Sequence, residues 1–307
     1  MDTNAIQKNE PSKKRLFLKD TLSGAAIGTA FIIPGFSGGS IAAILGIYEK
    51  LIEAISDIFK TPKKSIMTLL PIGIGMVLGI MALLFPLEFF LGKFPLPTVS
   101  LFVGLALGGM PSITDKAKGK PSFYQILSLV FALLVAGGMM FLPIASDVNL
   151  LDISFGGYVI LFLVGILGSS ALVVPGISGS MILLILGYYN PIVNLITNHI
   201  LRGDDILKSM LAIGSCALGI LLGFIFISFI MKNLLKKYPK STYYAIIGVI
   251  IGSSPTVVVS TAKEAGMGFI TLPKAPLHWI FCVLLFAVGS AISYLLVMLS
   301  RKKNACE

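Results

Sequence analysis

Two copies of one short motif contain the residues of this chain that are best suited to hold a charged ligand. The motif reads Pro-Gly-Phe-Ser-Gly-Gly at 34–39 and Pro-Gly-Ile-Ser-Gly-Ser at 175–180, 141 residues further on. Each copy interrupts an apolar run, because proline ends the preceding helix and serine favours the start of the next one. Amide groups at a helix start and serine hydroxyls donate hydrogen bonds to phosphate or carboxylate. The two copies therefore predict an anion site.

The predicted phosphate-binding residues are the glycines and serines of the two motifs, since glycine lets the backbone approach a ligand closely. A simple tight turn between packed helices is the alternative for either copy taken alone. The residues are Gly35, Ser37, Gly38, Gly39, Ser40, Gly176, Ser178, Gly179 and Ser180. Four side chains near the ends of apolar runs are candidates for headgroup contact or ion coupling, with interfacial anchoring as the alternative. They are Tyr48, Glu49, Glu88 and Tyr189.

The elements that position these motifs must be membrane-spanning helices. Of the 307 residues 56% are hydrophobic and only 12% are charged, with a mean hydropathy of +0.94. The apolar runs are continuous rather than alternating, which favours helices over a transmembrane barrel. The polar tail 1–15 has no apolar core, so no cleavable signal peptide is predicted. The three cysteines have no metal-ligand spacing, and neither a metal, a cofactor nor a catalytic residue is expected.

The positive charge of the chain follows its predicted topology. Of the 24 lysines and arginines, 19 fall in the segments 1–20, 49–64, 112–122, 232–241 and 300–307. Because cytoplasmic loops are enriched in these residues, we expect both termini on the cytoplasmic side of a bacterial plasma membrane. The net charge of +10 thus indicates topology and attraction to membrane lipids rather than nucleic-acid binding.

The chain is predicted to contain two related units. Gly46 and Tyr48 match Gly187 and Tyr189 at the motif offset, and later glycines and prolines match at an offset of 144. The segments 21–33 and 40–48 are too short to span, so they predict a re-entrant hairpin, and the second hairpin is inferred by symmetry. Each unit has a hairpin and three spans, an odd number of crossings, so the copies are expected to be inverted. The predicted units are 16–145 (hairpin 21–48, interfacial helix 51–60, spans 65–92, 98–111 and 123–145) and 156–300 (hairpin 156–198, spans 207–231, 242–260 and 277–299).

Pairs of glycines four residues apart recur in the apolar runs. Small residues at this spacing let two helix backbones approach closely in lipid, so we expect packing here rather than ligand binding. The pairs are Gly24/Gly28, Gly75/Gly79, Gly104/Gly108, Gly219/Gly223 and Gly248/Gly252.

With these motifs in place, the chain resembles the PopT-type polyprenyl-phosphate translocases, a bacterial family formerly labelled as a domain of unknown function. The resemblance extends over 16–300 and rests on the two motifs and on the Gly-Ile-Tyr-Glu and Gly-Tyr-Tyr segments that follow them at 46–49 and 187–189. It implies a transporter that moves undecaprenyl phosphate from the outer to the inner leaflet, recycling the lipid carrier of cell-wall synthesis. A proton or a sodium ion is the candidate coupling ion.

Two other functions stay open at this point. A secondary transporter of a small soluble anion would use the same motifs equally well. Undecaprenyl-pyrophosphate phosphatases carry a similar turn, with arginine where this chain has Gly38 and Gly179. Phosphoryl transfer needs a base and a cationic clamp, and no glutamate pair precedes either motif, so an enzyme is not predicted.

Overall fold

The structure is a computed structural model, and it describes residues 13–32, 37–142, 145–175, 179–195, 205–264 and 276–306. It is 86% helical, and no strand occurs in the described ranges. Two single turns of 3₁₀-helix, Asp115–Ala117 and Met139–Phe141, accompany the α-helices. The α-helices are α1 (Lys13–Ile32), α2 (Gly38–Ile44), α3 (Tyr48–Ser56), α4 (Pro62–Lys93), α5 (Pro95–Gly108), α6 (Met110–Thr114), α7 (Phe123–Gly138), α8 (Phe155–Val173), α9 (Gly179–Ile185), α10 (Tyr189–Asn194), α11 (Ile206–Lys237), α12 (Pro239–Glu264) and α13 (Pro276–Cys306).

Six helical segments of the described chain are long and apolar enough to cross a membrane. They lie in α4, α5–α6 and α7 in the first half, and in α11, α12 and α13 in the second. Large apolar side chains such as Met81, Phe131 and Leu295 are exposed on their outer surfaces. Such surfaces suit contact with lipid tails rather than water. The prediction of an all-α, multi-pass membrane protein is confirmed.

The helix that leads into each motif packs closely against a long helix of its own half. Gly24 and Gly28 of α1 face the backbone of α4 at Ile72 and Met76, and a Cβ at either glycine would collide with it. The α1–α4 contact is among the most extensive in the molecule, and so is the contact of α8 with α11. In the second half, Gly219 of α11 faces the backbone of α8 in the same way. The residue numbers rise together along both helices of each pair, so the two helices of a pair are parallel.

The two other extensive contacts join one half to the other, α5 with α13 and α7 with α12. Gly104 and Gly108 of α5 lie against the backbone of Phe286 and Ser290 in α13. Gly248 and Gly252 of α12 lie in the same way against Leu129 and Leu133 of α7. The interpretation of the spaced glycines as packing positions is thus confirmed for all five pairs, because Gly75, Gly79 and Gly223 also face helix backbone.

The two short helices that follow the motifs end in the same backbone turn. Gly46 has a φ of +71° and Gly187 a φ of +77°, values that side-chain-bearing residues rarely adopt. In the first turn the amide of Ile47 donates to the carbonyl oxygen of Ala42 at 3.0 Å. In the second, the amide of Tyr188 donates to the carbonyl oxygen of Leu183 at 2.9 Å. The residues matched by sequence therefore have matching backbone geometry.

Three helix bounds differ from those expected. α1 begins at Lys13, inside the predicted tail 1–15. α3 spans Tyr48–Ser56 rather than 51–60, because the left-handed turn at Gly46 lets the next helix begin at once and the chain leaves the helix at Asp57. α5 starts at Pro95, where proline is favoured at a helix start, and ends at Gly108 before a further short helix.

Segments predicted to share one side of the membrane meet at one end of the molecule, here called the basic end and defined by Asp57, Lys116, Lys232 and Arg301. Asp57 is ion-paired with Lys232, and Arg301 lies 2.6 Å from Asp115. Lys116 lies 2.9 Å from Glu49. These pairs join α3 and its C-terminal end to α11 and to the 3₁₀ turn Asp115–Ala117, and join that turn to the end of α13.

Candidate functional site

The structure describes the first motif from Ser37 onwards and the second up to Pro175 and again from Gly179. Ser37 is the N-cap residue of α2, and Gly179 begins α9. Three predicted phosphate-binding residues, Gly35, Gly176 and Ser178, lie outside the described residues, and so does the side chain of Ser180.

The two motifs contact each other in the structure. The hydroxyl of Ser37 donates a hydrogen bond to the carbonyl oxygen of Val174 at 3.3 Å. A Cβ at Gly39 would lie 3.1 Å from the carbonyl oxygen of Val173 and 3.3 Å from the Cα of Pro175. Because these distances are tighter than most real Cβ contacts, glycine at this position favours the close approach of the two backbones. Segments 137 residues apart thus form one site at the contact between the halves.

The predicted residues of the first motif are buried at this contact. Ser37 is 3% exposed and Ser40 is 2% exposed, and Gly38 and Gly39 are buried with them. Ser37 occupies the expected cap position, but its hydroxyl makes no capping bond and is directed to the other motif. The amide of Ser40 instead donates to the carbonyl oxygen of Ser37 at 3.0 Å. The described residues of the first motif are therefore shielded from solvent.

Tyr48 ties the first hairpin to the second motif. Its hydroxyl donates to the carbonyl oxygen of Val173 at 2.8 Å, and the residue is 2% exposed. The structure thus gives this hydroxyl a protein acceptor in place of a headgroup. Val173 also belongs to the buried apolar cluster that contains Ile27 of α1 and Ile246 of α12. One tyrosine therefore joins three elements of the site.

Glu49 joins the first hairpin to the second half. Its carboxylate accepts hydrogen bonds from the hydroxyl of Tyr243 in α12 and from the ammonium group of Lys116, the latter at 2.9 Å. Burial, the largest single influence, raises the pKa of Glu49, but the bonds from Tyr243 and Lys116 together outweigh it. The net effect is a lowered pKa, so the carboxylate is ionised at neutral pH.

Of the two other candidate side chains, the structure describes only that of Tyr189. Tyr189 is 39% exposed, and the amide of Asn190 next to it donates to the carboxylate of Asp147 at 3.2 Å. The side chain of Glu88 lies outside the described residues. The structure thus brings Ser37, Ser40 and Gly39 together with the second motif, and leaves Tyr189 apart from them.

Sequence reasoning missed several polar partners of the first hairpin. Asp20 is only 4% exposed and lies 2.5 Å from the ammonium group of Lys50. Tyr243 and Lys232 bind the carboxylates of Glu49 and Asp57 from the second half. No local pattern reveals these partners, because up to 194 residues separate them along the chain. Asp20, directly before an apolar run, was the one signal available.

An apolar cavity reaches the motif contact from the basic end. It has a volume of about 280 Å³ and lies between α7, α11 and α12. Val174, whose carbonyl oxygen accepts the Ser37 hydroxyl, lines it together with Met231 and Ile246. Apolar walls of this kind suit a hydrocarbon chain rather than a small soluble ion.

The chain is similar to known membrane transport proteins. Residues 27–267 match the model of the VCA0040-like family, described as undecaprenyl phosphate translocase-like. The chain belongs to this family. A relative from Staphylococcus aureus, named a polyprenyl-phosphate transporter, is 32% identical over 277 residues, which are 89% of this chain and 93% of the relative. A Vibrio cholerae relative of the same name is 26% identical over 309 residues, covering 90% of this chain and 94% of the relative. No solved structure matches the chain.

Membership of the family confirms the resemblance drawn from the motifs. It also confirms the assignment to transporters rather than to enzymes, because the family is described by translocation and both relatives are named transporters. The family match includes the whole of both motifs and both hairpin ends.

Proposed function

We propose that this chain carries undecaprenyl phosphate from the outer to the inner leaflet of a bacterial plasma membrane, recycling the lipid carrier of cell-wall synthesis. The observation that carries the proposal is the buried contact between the two motifs, in which Ser37 donates to Val174, the residue before the second motif, and Gly39 lies against Pro175. The polyprenyl-phosphate transporters among its relatives support the same substrate. Both termini are proposed to be cytoplasmic, since the basic end carries most of the predicted inside charge.

We also propose that the two halves are inverted copies. α1 begins at the basic end, where Asp20 pairs with Lys50, and runs away from it. α11 ends at the basic end, where Lys232 pairs with Asp57, and α8 is parallel to α11. The helices leading into the two motifs therefore run in opposite directions, as in transporters built from inverted repeats.

Within this function the motifs replace the hydration of the phosphate. Moving a bare ion of this size into hydrocarbon costs on the order of 20 kcal/mol per charge. The hydroxyls of Ser37 and Ser40 and the amides of Gly38 and Gly39 are the donors available at the first motif. Because α2 has only seven residues, these local donors matter more than its dipole. The prenyl chain stays in lipid or enters the apolar cavity at Val174.

The buried motif contact corresponds to a closed state of the pathway. For a phosphate to reach Ser37 and Ser40, the bonds from Ser37 to Val174 and from Tyr48 to Val173 must open. Such an opening moves one half against the other and exposes the motif to one leaflet at a time. Glu49 is the candidate coupling group, with a proton or a sodium ion. Because its pKa is lowered by Tyr243 and Lys116, proton uptake requires a state in which those bonds are broken.

The decisive experiment is a transport assay on the full chain in proteoliposomes with a fluorescent polyprenyl phosphate, read by a membrane-impermeant quencher. Losing a hydrogen bond to a charged group costs about 1.5–3 kcal/mol, so we expect Ser37→Ala to slow transfer about tenfold or more. Ser178→Ala is expected to act likewise, and Gly35→Val and Gly176→Val more severely. Ser56→Ala is the matched control, a buried serine that bonds only its own helix at Glu53 among the described contacts.

Three results would contradict the proposal. The first is an unchanged rate in all four motif variants. The second is uptake of soluble inorganic phosphate at a rate similar to that of the lipid, which would identify a carrier of small anions. The third is release of phosphate from undecaprenyl pyrophosphate by the purified protein, which would identify a phosphatase.

A further inference from the structure

A second, larger cavity lies at the basic end, away from the motif contact. It has a volume of about 810 Å³ and opens between the starts of α1, α3 and α4. Three lysines line one part of it, Lys50, Lys63 and Lys64. Exposed apolar side chains of α1 and α4, Phe17 and Met67 among them, line another. The cavity thus combines cationic and hydrocarbon surfaces, as an amphiphilic anion requires.

The charges of this cavity leave an excess of positive charge. Lys50 is paired with Asp20, the one acidic residue in the lining. Lys63 and Lys64 are exposed and form no ion pair within the described residues. Glu53 and Asp57 line a smaller, adjoining cavity that shares Lys50, Thr61 and Lys64 with the larger one, and Asp57 is itself paired with Lys232. The lining of the larger cavity therefore has a formal charge of +2.

The backbone at the start of α4 adds to the positive potential of this cavity. α4 begins at Pro62 and has 32 residues, so its amides and the positive end of its dipole face the cavity at Lys63 and Lys64. Thr61, the N-cap residue, makes no side-chain capping bond, and the first turn contains no acidic residue. The positive charges of Lys63 and Lys64 lie at the positive end of the helix dipole, which is unfavourable. An anion bound between them would remove this unfavourable interaction.

The corresponding helix of the second half supplies its own negative charge. Ser65 and Gly75 of α4 match Ser209 and Gly219 of α11 at the offset of 144, which aligns Thr61 with Asp205. Asp205 is the N-cap residue of α11, and Lys208 lies 3.0 Å from Asp152. The same helix start is thus neutralised by the chain itself in one half and left cationic in the other.

We propose that this cavity binds the phosphomonoester headgroup of a polyprenyl phosphate, with the first isoprene units against Phe17 and Met67, as an entry or exit site at the basic end. The proposal rests on the proposed function for the identity of the lipid. A phosphomonoester carries a charge of about −1.5 to −2 at pH 7, which matches the excess of the lining. A membrane phosphodiester carries a single negative charge and leaves one lysine unneutralised.

The test uses a local reporter in the full chain. Trp279 is the single tryptophan, so Trp279→Phe combined with Met67→Trp puts the sole indole at the cavity. A short polyprenyl phosphate with a nitroxide on its first isoprene unit is expected to quench this indole with saturable binding. Adding Lys63→Gln and Lys64→Gln should raise the Kd about tenfold or more, because two charge-assisted contacts are lost. Lys118→Gln with Lys120→Gln removes the same charge from a neighbouring loop and should leave the Kd unchanged.

Each other outcome has a defined meaning. Two outcomes would overturn the proposal in favour of general surface charge. In the first, the two double variants raise the Kd of the probe equally. In the second, phosphatidylglycerol displaces the quenching probe as well as polyprenyl phosphate does. If the wild-type chain transports the lipid and the Lys63/Lys64 variant binds and transports like it, this inference alone fails. If the wild-type chain binds the probe with the expected lysine dependence but transports no lipid phosphate, the proposed function fails and the site stands as a lipid-phosphate site.

Discussion

The ends of the two hairpins share a backbone and differ in their side-chain contacts. Both leave a short helix through a left-handed glycine, Gly46 or Gly187, and place a tyrosine two residues later. Tyr48 is buried and bonds the second motif through Val173, whereas Tyr189 is 39% exposed. The two turns thus have the same backbone geometry and different side-chain contacts.

The polar side chains that follow the two tyrosines also differ in their partners. Glu49 is held by Tyr243 and Lys116 from other elements, whereas its counterpart Asn190 bonds the nearby loop at Asp147. Glu49 of the first hairpin therefore bonds to residues of both halves, whereas Asn190 of the second bonds to a residue of the loop before α8.

The largest expected effect tests what the two halves have in common. Gly75→Val forces a side chain into the backbone of α1 at Thr21, and overpacking of this kind costs about 1–3 kcal/mol or more. Gly73→Val is the matched control, since no neighbour lies within 4 Å of its Cβ. In the second half, Gly219→Val and Gly214→Val form the same pair. In thermal unfolding in detergent, the melting temperature should fall for Gly75→Val and Gly219→Val and stay unchanged for the two controls. Similar losses in both members of a pair would contradict the packing role.

The next effect separates the two tyrosines. Tyr48→Phe removes the buried hydrogen bond to the carbonyl oxygen of Val173, at a cost of about 0.5–1.5 kcal/mol. Tyr189→Phe alters an exposed residue and should change stability by less than about 0.5 kcal/mol. Because the lost bond holds the motifs together, Tyr48→Phe should also increase the reactivity of an introduced Ser37→Cys thiol toward a soluble maleimide. Equal reactivity in the Tyr48→Phe and Tyr189→Phe backgrounds would show that Tyr48 does not hold the contact closed.

The smallest effect concerns the carboxylate of Glu49. Because its pKa is lowered in the folded chain, its contribution to stability is present above the unfolded pKa of about 4.3 and is lost as the pH falls through the folded pKa. The difference in melting temperature between the wild type and Glu49→Gln should therefore be constant from pH 8 to pH 6 and shrink under more acidic conditions. Asn190→Gln, at the matched position, should show no such dependence. A difference in melting temperature that grows as the pH falls would contradict a lowered pKa for Glu49.

The local features of the fold could be predicted from sequence because they depend on local chemistry. Proline and serine in the motifs end one helix and begin another, and apolar runs of about 20 residues span a membrane whatever lies around them. The spaced glycines indicated close packing, since only small residues let backbones approach. Family membership followed from the motifs themselves. The start of α3 at Tyr48 was missed because the turn at Gly46 is tighter than composition indicates.

The partners of the polar side chains were decided by the tertiary structure alone. Nothing near Glu49 in sequence identifies Tyr243, and nothing near Ser37 identifies the carbonyl oxygen of Val174. A backbone acceptor has no side-chain signature, and the pairing of α7 with α12 and of α5 with α13 positions groups more than 100 residues apart. Sequence by itself determined which segments are helical and apolar, and it predicts which of them bind an anion. Packing decided which of them meet, because contacts between distant segments depend on the summed fit of whole helices rather than on any one residue.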